Sequence, residues 1–243
     1  MIKIEDRAKD ISDFLGISYD NAYERLKKGF HFNHSEVAKD FIQKNVDVND
    51  GSALLNWYKT SDAYVWELSA YHLEEAFNYS GMCNGIASGL TATNRTEALV
   101  LGDGVGDLSV VMYDHGIDVT YHDLEDSLTA LFAKKVFNSR DIKTRFTSNW
   151  EPNLGYRQYN AVVALDFFEH LINVEEWVSA VHKCMKKDGA FIAQNAFAIG
   201  DAEHGNSIPM HLSVNNRFEN DWGPLLESVG FYLHDNGTWW IKK

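Results

Sequence analysis

At 243 residues, 45% of them apolar and 23% charged, the chain is long enough to bury one sizeable core, and its composition excludes large-scale disorder. A net charge of −13, from 35 acidic against 22 basic residues, equips it poorly to neutralise a phosphate backbone, so DNA and RNA are disfavoured as partners. Cys83 and Cys184 are too few for a disulfide framework and lack metal-ligand spacing; with no signal-peptide run in MIKIEDRAKD and no membrane-length apolar stretch, a cytoplasmic protein off the membrane is expected.

Residues 1–95 read as helices. Asp6–Leu15, Tyr19–Lys28 and Ser35–Gln43 carry apolar residues at helical spacing, with Ser18 and Asn33 or Ser35 placed as N-caps. From Ser61 the run SDAYVWELSAYHLEEAFN predicts one longer amphipathic helix, rich in aromatic residues. No flexible linker follows; the boundary falls in the polar stretch TATNRTE, so the segment is expected to pack on the rest of the chain as a lid. Tyr58, Tyr64 and Trp66 are its candidate substrate-lining residues, because aromatic faces exclude water and attract cations, although rings at helical spacing pack inward by default.

From Glu97 to Leu124 the pattern changes. An apolar strand (Ala98–Leu101) runs into Gly102, Gly104 and Gly106, then a helix (Leu108–His115), a second strand (Ile117–Tyr121) and Asp123. This is the first half of a nucleotide-binding α/β unit. Glycines permit a sharp turn close to a ligand, and a carboxylate at the tip of the second strand can accept both hydroxyls of a ribose. Dinucleotide sites use G-x-G-x-x-G, but here the spacing is G-x-G-x-G and Asp107 stands where the third small residue belongs. A carboxylate there is expected to repel a pyrophosphate and to tolerate a cationic ligand.

A helix (Leu128–Asn138) and a short strand (Thr144–Thr147) lead to Ser148-Asn149-Trp150. YNAVVALDFFEHL then reads as a buried central strand ending in Asp166, followed by a helix (Val174–Met185), the turn Lys187-Asp188-Gly189 and a strand (Ala190–Asn195). A polar loop with His204 and His211 precedes a helix ending in LLESVGF. Two strands, Tyr232–His234 and Thr238–Ile241, close the chain as a hairpin about Asp235-Asn236-Gly237.

Residues 95–243 resemble the class I S-adenosylmethionine (SAM) methyltransferases, whose first motif is hh-D/E-h-G-x-G-x-G. Tyr159-Asn160 stands at their F-D position, Phe168-Glu169-His170-Leu171 resembles the L-E-H-h signature of the small-molecule branch, including ubiquinone-pathway O-methyltransferases, and Lys187-Asp188-Gly189 stands at the P-G-G turn. The resemblance implies an α/β, Rossmann-like seven-stranded sheet, mostly parallel with one antiparallel strand from the C-terminal hairpin, over 96–243, with a helical extension over 1–95. It implies that Gly102, Asp103, Gly104 and Gly106 lie near the methionyl and ribose parts of SAM, that Asp123 and Leu124 hold the ribose, that Asn149 and Trp150 hold the adenine, and that Asp166 and Phe167 meet the methionyl end. The family's acid two residues before the first glycine is Val100 here, and Asp103 or Asp107 is the candidate replacement.

Methyl transfer to an oxygen or nitrogen of a small-molecule acceptor is the activity so implied, with His170 and His211 as candidate bases. Asp166-x-x-Glu169-His170 is similar to the E-x-x-E-H arrangement through which some ubiquinone-pathway and RNA 3′-end methyltransferases hold a divalent ion. With Asp for the first Glu, and only His204 or His211 as a fourth ligand, no metal is expected. The rivals are an NAD(P)-binding oxidoreductase, a protein or RNA methyltransferase and a SAM-binding protein without catalysis.

Overall fold

The computed structural model describes residues 2–30, 35–47, 50–148, 151–197, 211–235 and 237–243. Among them, six helices come first: α1 (Ile4–Leu15), α2 (Tyr19–Leu26), α3 (Glu36–Gln43), α4 (Gly51–Thr60), α5 (Ala63–Leu73) and α6 (Tyr79–Ala92). Short polar side chains start three of them. Ser18 accepts the Asn21 N–H, Ser35 accepts that of Ala38 at 3.0 Å, and Asp50 accepts those of Ser52 and Ala53. The helix expected over 61–78 stops at Leu73. Glu74 leaves the helical region, Glu75–Phe77 makes one tight turn, and Asn78 adopts a left-handed φ of 47° that asparagine tolerates. The break lets Tyr79 stack on His72 with ring centroids 3.6 Å apart, a contact no continuous helix could make.

The sheet is built from β1 (Glu97–Leu101), β2 (Asp118–His122), β3 (Arg145–Thr147), β4 (Tyr159–Leu165), β5 (Met185–Gln194), β6 (Phe231–Leu233) and β7 (Trp240–Lys242), in the order β3-β2-β1-β4-β5-β7-β6. All neighbours are parallel except β7, which runs against both β5 and β6. Four more helices connect the strands: α7 (Asp107–Asp114), α8 (Leu128–Ser139), α9 (Val174–Cys184) and α10 (Phe218–Ser228). No helix among the described residues is long and apolar enough to cross a membrane.

Uninterrupted apolar runs make β1 and β4 the centre, covered on both faces. Leu99 and Leu101 point to one side, where Trp177, Val178 and Val181 of α9 pack with Phe168, Phe191 and Phe231. Ala98 and Val100 point to the other, against Cys83 and Leu90 of α6 and Leu108 and Met112 of α7. The last helix before residue 95 is thus a wall of the α/β core. Register sets the site: Leu101 lies level with His122 of β2 and Ala164 of β4, so the turns beyond these three strands meet at one edge, where the order of connection reverses.

The strand expected at Ala190 begins instead at Met185, directly after α9. Tyr159 pairs with Met185 and Ala161 with Ala190, so Lys186–Gly189 form a bulge within β5, with Asp188 at φ 60°. The turn expected at Lys187-Asp188-Gly189 falls in this irregular stretch, and regular pairing resumes at Ala190 as expected. A side chain at Gly189 would meet the Lys186 carbonyl at 2.9 Å.

One buried ion pair fastens the helical segment to the sheet domain. Arg7 of α1, 1% exposed, pairs with Asp107 at the first turn of α7 and reaches Ser69 of α5 at 3.2 Å. His72 of α5 meets the other Asp107 oxygen at 2.7 Å. Burial works against an ionised Asp107, but Arg7 and His72 hold its carboxyl below the ordinary carboxylate range.

Candidate active site

A cavity of about 370 Å³ lies between the carboxyl edge of the sheet and helices α4 and α5. Its floor is made by the turns after β1, β2 and β4. Gly102, at φ 65°, could carry no side chain, because a Cβ there would stand 2.4 Å from the Phe167 ring that lies across the turn. Gly104 donates its N–H to Asp123 at 2.9 Å, and Leu124 donates to the other carboxylate oxygen at 2.7 Å. Enclosure pushes the Asp123 carboxyl up to about 6, against the opposing pull of these backbone donors. Leu124, Asp166 and Phe167 complete the floor.

Gly106 is different. It does not line the cavity; a Cβ there would meet the Phe137 ring at 2.7 Å and Ala133 at 3.1 Å, so its smallness serves the packing of α8 on the turn. Its expected place beside the ligand is corrected accordingly.

The two acids offered as replacements for the residue at Val100 also have other tasks. Asp103 accepts the N–H groups of Leu108 at 3.1 Å and Ser109 at 2.8 Å, which puts its carboxylate at the anion position of the α7 N-terminus. Burial raises it to about 7, in opposition to those donors. Asp107 is not in the cavity wall, and Arg7 offsets its charge, so repulsion of a pyrophosphate by Asp107 fails as an argument. Asp103 supplies a better one. The helix end that would face a pyrophosphate is already taken by the chain's own carboxylate.

The roof comes from α4 and α5. Tyr58 and Tyr64 line it, their rings stacked 5.6 Å apart, and burial raises both phenols above their ordinary range, leaving them neutral. Tyr64, Leu68, Tyr71 and His72 form the cavity-facing stripe at helical spacing. Trp66 sits about 200° round the helix from Tyr64 and so points away. It is buried in the core, its ring beneath the Arg25 guanidinium at 3.9 Å and its N–H on Asp62, so it lines no part of this cavity. The stripe through Tyr71 and His72 was readable from the same periodicity but was missed.

At the far end stand His170, which follows β4, and His211. Their rings meet edge-on at 4.7 Å, the Tyr58 hydroxyl lies 3.3 Å from His170 Nδ1, and His211 Nδ1 lies 3.1 Å from the Ala196 carbonyl. Asn215, unremarked in the sequence, pins the Phe168–Leu171 turn by donating to the Leu171 carbonyl at 2.7 Å and the Glu169 carbonyl at 3.2 Å. Glu169 is fully buried. Its Oε1 accepts the Ala196 N–H at 2.8 Å, while Oε2 has no partner among the described residues.

Burial raises Glu169 to about 7; Asp166, reachable through the cavity yet closed in by its walls, is raised to about 7 by that enclosure and by the charge of Glu169. Ligand atoms of Glu169, His170 and His211 lie within 4.8 Å of one another, a set able to hold a divalent ion. Of the residues the sequence offered, Glu169, His170 and His211 come together, and Asp166 is not in that set. Asn149, Trp150 and His204 fall outside the described residues.

No family model matches the sequence, and no curated protein does so. Among solved structures, the chain is similar to a Staphylococcus aureus protein proposed to be a caffeoyl-CoA O-methyltransferase, with 17% identity, 67% of this chain and 83% of that one covered, and a TM-score of 0.53. It is also similar to a SAM-dependent methyltransferase from Clostridium acetobutylicum (19% identity, 51% and 54% covered, TM-score 0.47). A protein from Galdieria sulphuraria proposed to be a sarcosine dimethylglycine methyltransferase has 13% identity, 62% and 59% covered, and a TM-score of 0.49. The match spans little more than half of the Clostridium and Galdieria chains. Seven strands in the order β3-β2-β1-β4-β5-β7-β6, one of them antiparallel, together with the Staphylococcus likeness, make this the class I methyltransferase fold.

Proposed function

We propose that the protein transfers a methyl group from SAM to an oxygen or nitrogen of a small molecule held in this cavity. The observation that carries the reading is the Asp103 carboxylate on the α7 N-terminus, with Asp123 level with the glycine turn. A dinucleotide brings a pyrophosphate to helix N–H groups that the chain's own carboxyl has already taken, whereas SAM brings a net positive charge and a ribose. The residues present therefore fit SAM. Gly102 and Gly104 would pass beside it, Asp123 with Leu124 would take the ribose hydroxyls, and Asp166 with Phe167 would border the methionyl end. When bound, SAM supplies an electrophilic methyl group.

The chain's own part is to position the acceptor and keep water out. Tyr58, Tyr64 and Tyr71 close the roof over the floor turns. Their neutral hydroxyls can donate to an acceptor, and the imidazoles of His170 and His211 stand in the wall to take its proton. Incubation with SAM and pooled small hydroxyl and amine compounds is expected to yield S-adenosylhomocysteine, read by mass spectrometry. SAM binding with no product from any pool would instead favour the non-catalytic rival.

A second reading has Glu169, His170 and His211 hold a divalent ion that lowers the pKa of an acceptor hydroxyl, which the partnerless Glu169 Oε2 favours. Product formation lost with EDTA and restored by Mg²⁺ or Zn²⁺ would support it. Unchanged rates would remove it.

A further inference from the structure

The cavity wall holds carboxylates and no cation. Glu67, Asp103, Asp123 and Asp166 line it, and Glu169 lies buried behind His170, yet none of the lining residues is a lysine or an arginine. The segments outside the described residues do not alter this, since 31–34, 48–49, 149–150 and 198–210 contain neither residue type in their sequence. The buried arginine near the cavity is already committed: Arg7 pairs with Asp107 behind the roof. Arg25, on the far side of α5, pairs with Glu36 and covers Trp66. A carboxylate, phosphate or thioester-linked nucleotide entering here would lose its hydration and find no lysine or arginine to replace it, with carboxyl groups in the same wall.

A cation meets the opposite situation. Tyr64 and Tyr71 on α5 line the same cavity as Asp166, and burial together with the charge of Asp166 raises the Tyr71 phenol. Aromatic rings and carboxylates lining one cavity are the two features that stabilise a bound ammonium.

We propose that the methyl acceptor is an amine without acidic groups, selected as its ammonium form by the aromatic roof and the carboxylate wall, and methylated on nitrogen. The proposal rests on the methyltransferase reading above and narrows it. The ammonium gives one proton to a group of the wall, and the freed lone pair forms the N–C bond. The electron pair of the broken C–S bond stays on the donor's sulfur, and the N-methylated product leaves as an ammonium.

Three probes of one shape separate charge from fit: phenethylamine, 2-phenylethanol and 3-phenylpropionate, titrated calorimetrically into the full-length protein saturated with S-adenosylhomocysteine, in EDTA. The amine is expected to bind at least roughly tenfold more tightly than the alcohol, with the acid weakest. Gln194→Lys, which adds a cation at an exposed lining position, is expected to remove the amine's advantage and leave the alcohol unchanged. The proposal is overturned if the amine binds no better than its partners, including the case where none binds. It is overturned equally if Gln194→Lys leaves amine affinity intact, or if the acid binds once Mg²⁺ or Zn²⁺ is added. S-adenosylhomocysteine is titrated first: its own failure to bind would refute the methyltransferase reading, whereas its binding without an amine preference would refute only the acceptor class.

Discussion

Asp123→Ala is expected to weaken S-adenosylhomocysteine binding roughly a hundredfold or more, because a ribose diol would lose two charge-assisted hydrogen bonds of about 1.5–3 kcal/mol each. The loss has a second part. Asp123 also holds the N–H groups of Gly104 and Leu124, so the glycine turn itself loses its anchor. The pH dependence distinguishes charge from shape. In the free protein the carboxyl titrates at about 6, and donors from a ribose favour its ionised form, so its bound value is lower. Affinity is therefore fully developed above pH 6 and falls as the pH drops through that value, since a proton must then be displaced. Asp123→Asn keeps the shape and is expected to lose that step, read by calorimetry between pH 5 and 8.

Arg7→Ala is expected to cost about 3–5 kcal/mol in urea denaturation, the usual penalty for leaving a buried charge without its partner. Asp107 is 1% exposed, and His72 alone would remain to face it. Against a whole-domain stability of about 5–15 kcal/mol this is a severe change. Arg7→Ala combined with Asp107→Ala is expected to recover part of the loss, because no charge is then stranded. The pair's pH signature follows from its sign. Asp107 titrates below its ordinary value when folded, so its contribution is present above the unfolded carboxylate value and is lost as the pH falls through the depressed native one.

The centre of the fold was legible because its signal is local. Val100 and Leu101, like Val162 and Val163, lie in short apolar runs that suit strands covered on both faces, and Gly102 and Asp123 stand where those runs end. What remained hidden depends on partners distant in sequence. Nothing near Asp107 announces that it is offset by a residue 100 positions away, so its charge was read as aimed at a ligand. Trp66 was put forward with Tyr64 as an aromatic face, but a two-residue step on a helix turns a side chain to the opposite face, and Tyr71 and His72 join Tyr64 at the cavity. His211 was a candidate beside His170 from the outset, but it lies in a polar stretch without periodicity, so the edge-on contact of the two rings came only with the folded chain.

On the proposed reading, the floor of the cavity accepts an adenosyl group and refuses a pyrophosphate. Separate calorimetric titrations of the purified protein with S-adenosylhomocysteine and with NADH test it most directly. Saturable heat with the first and none with the second is the predicted result. Saturable heat with NADH and none with S-adenosylhomocysteine would contradict it.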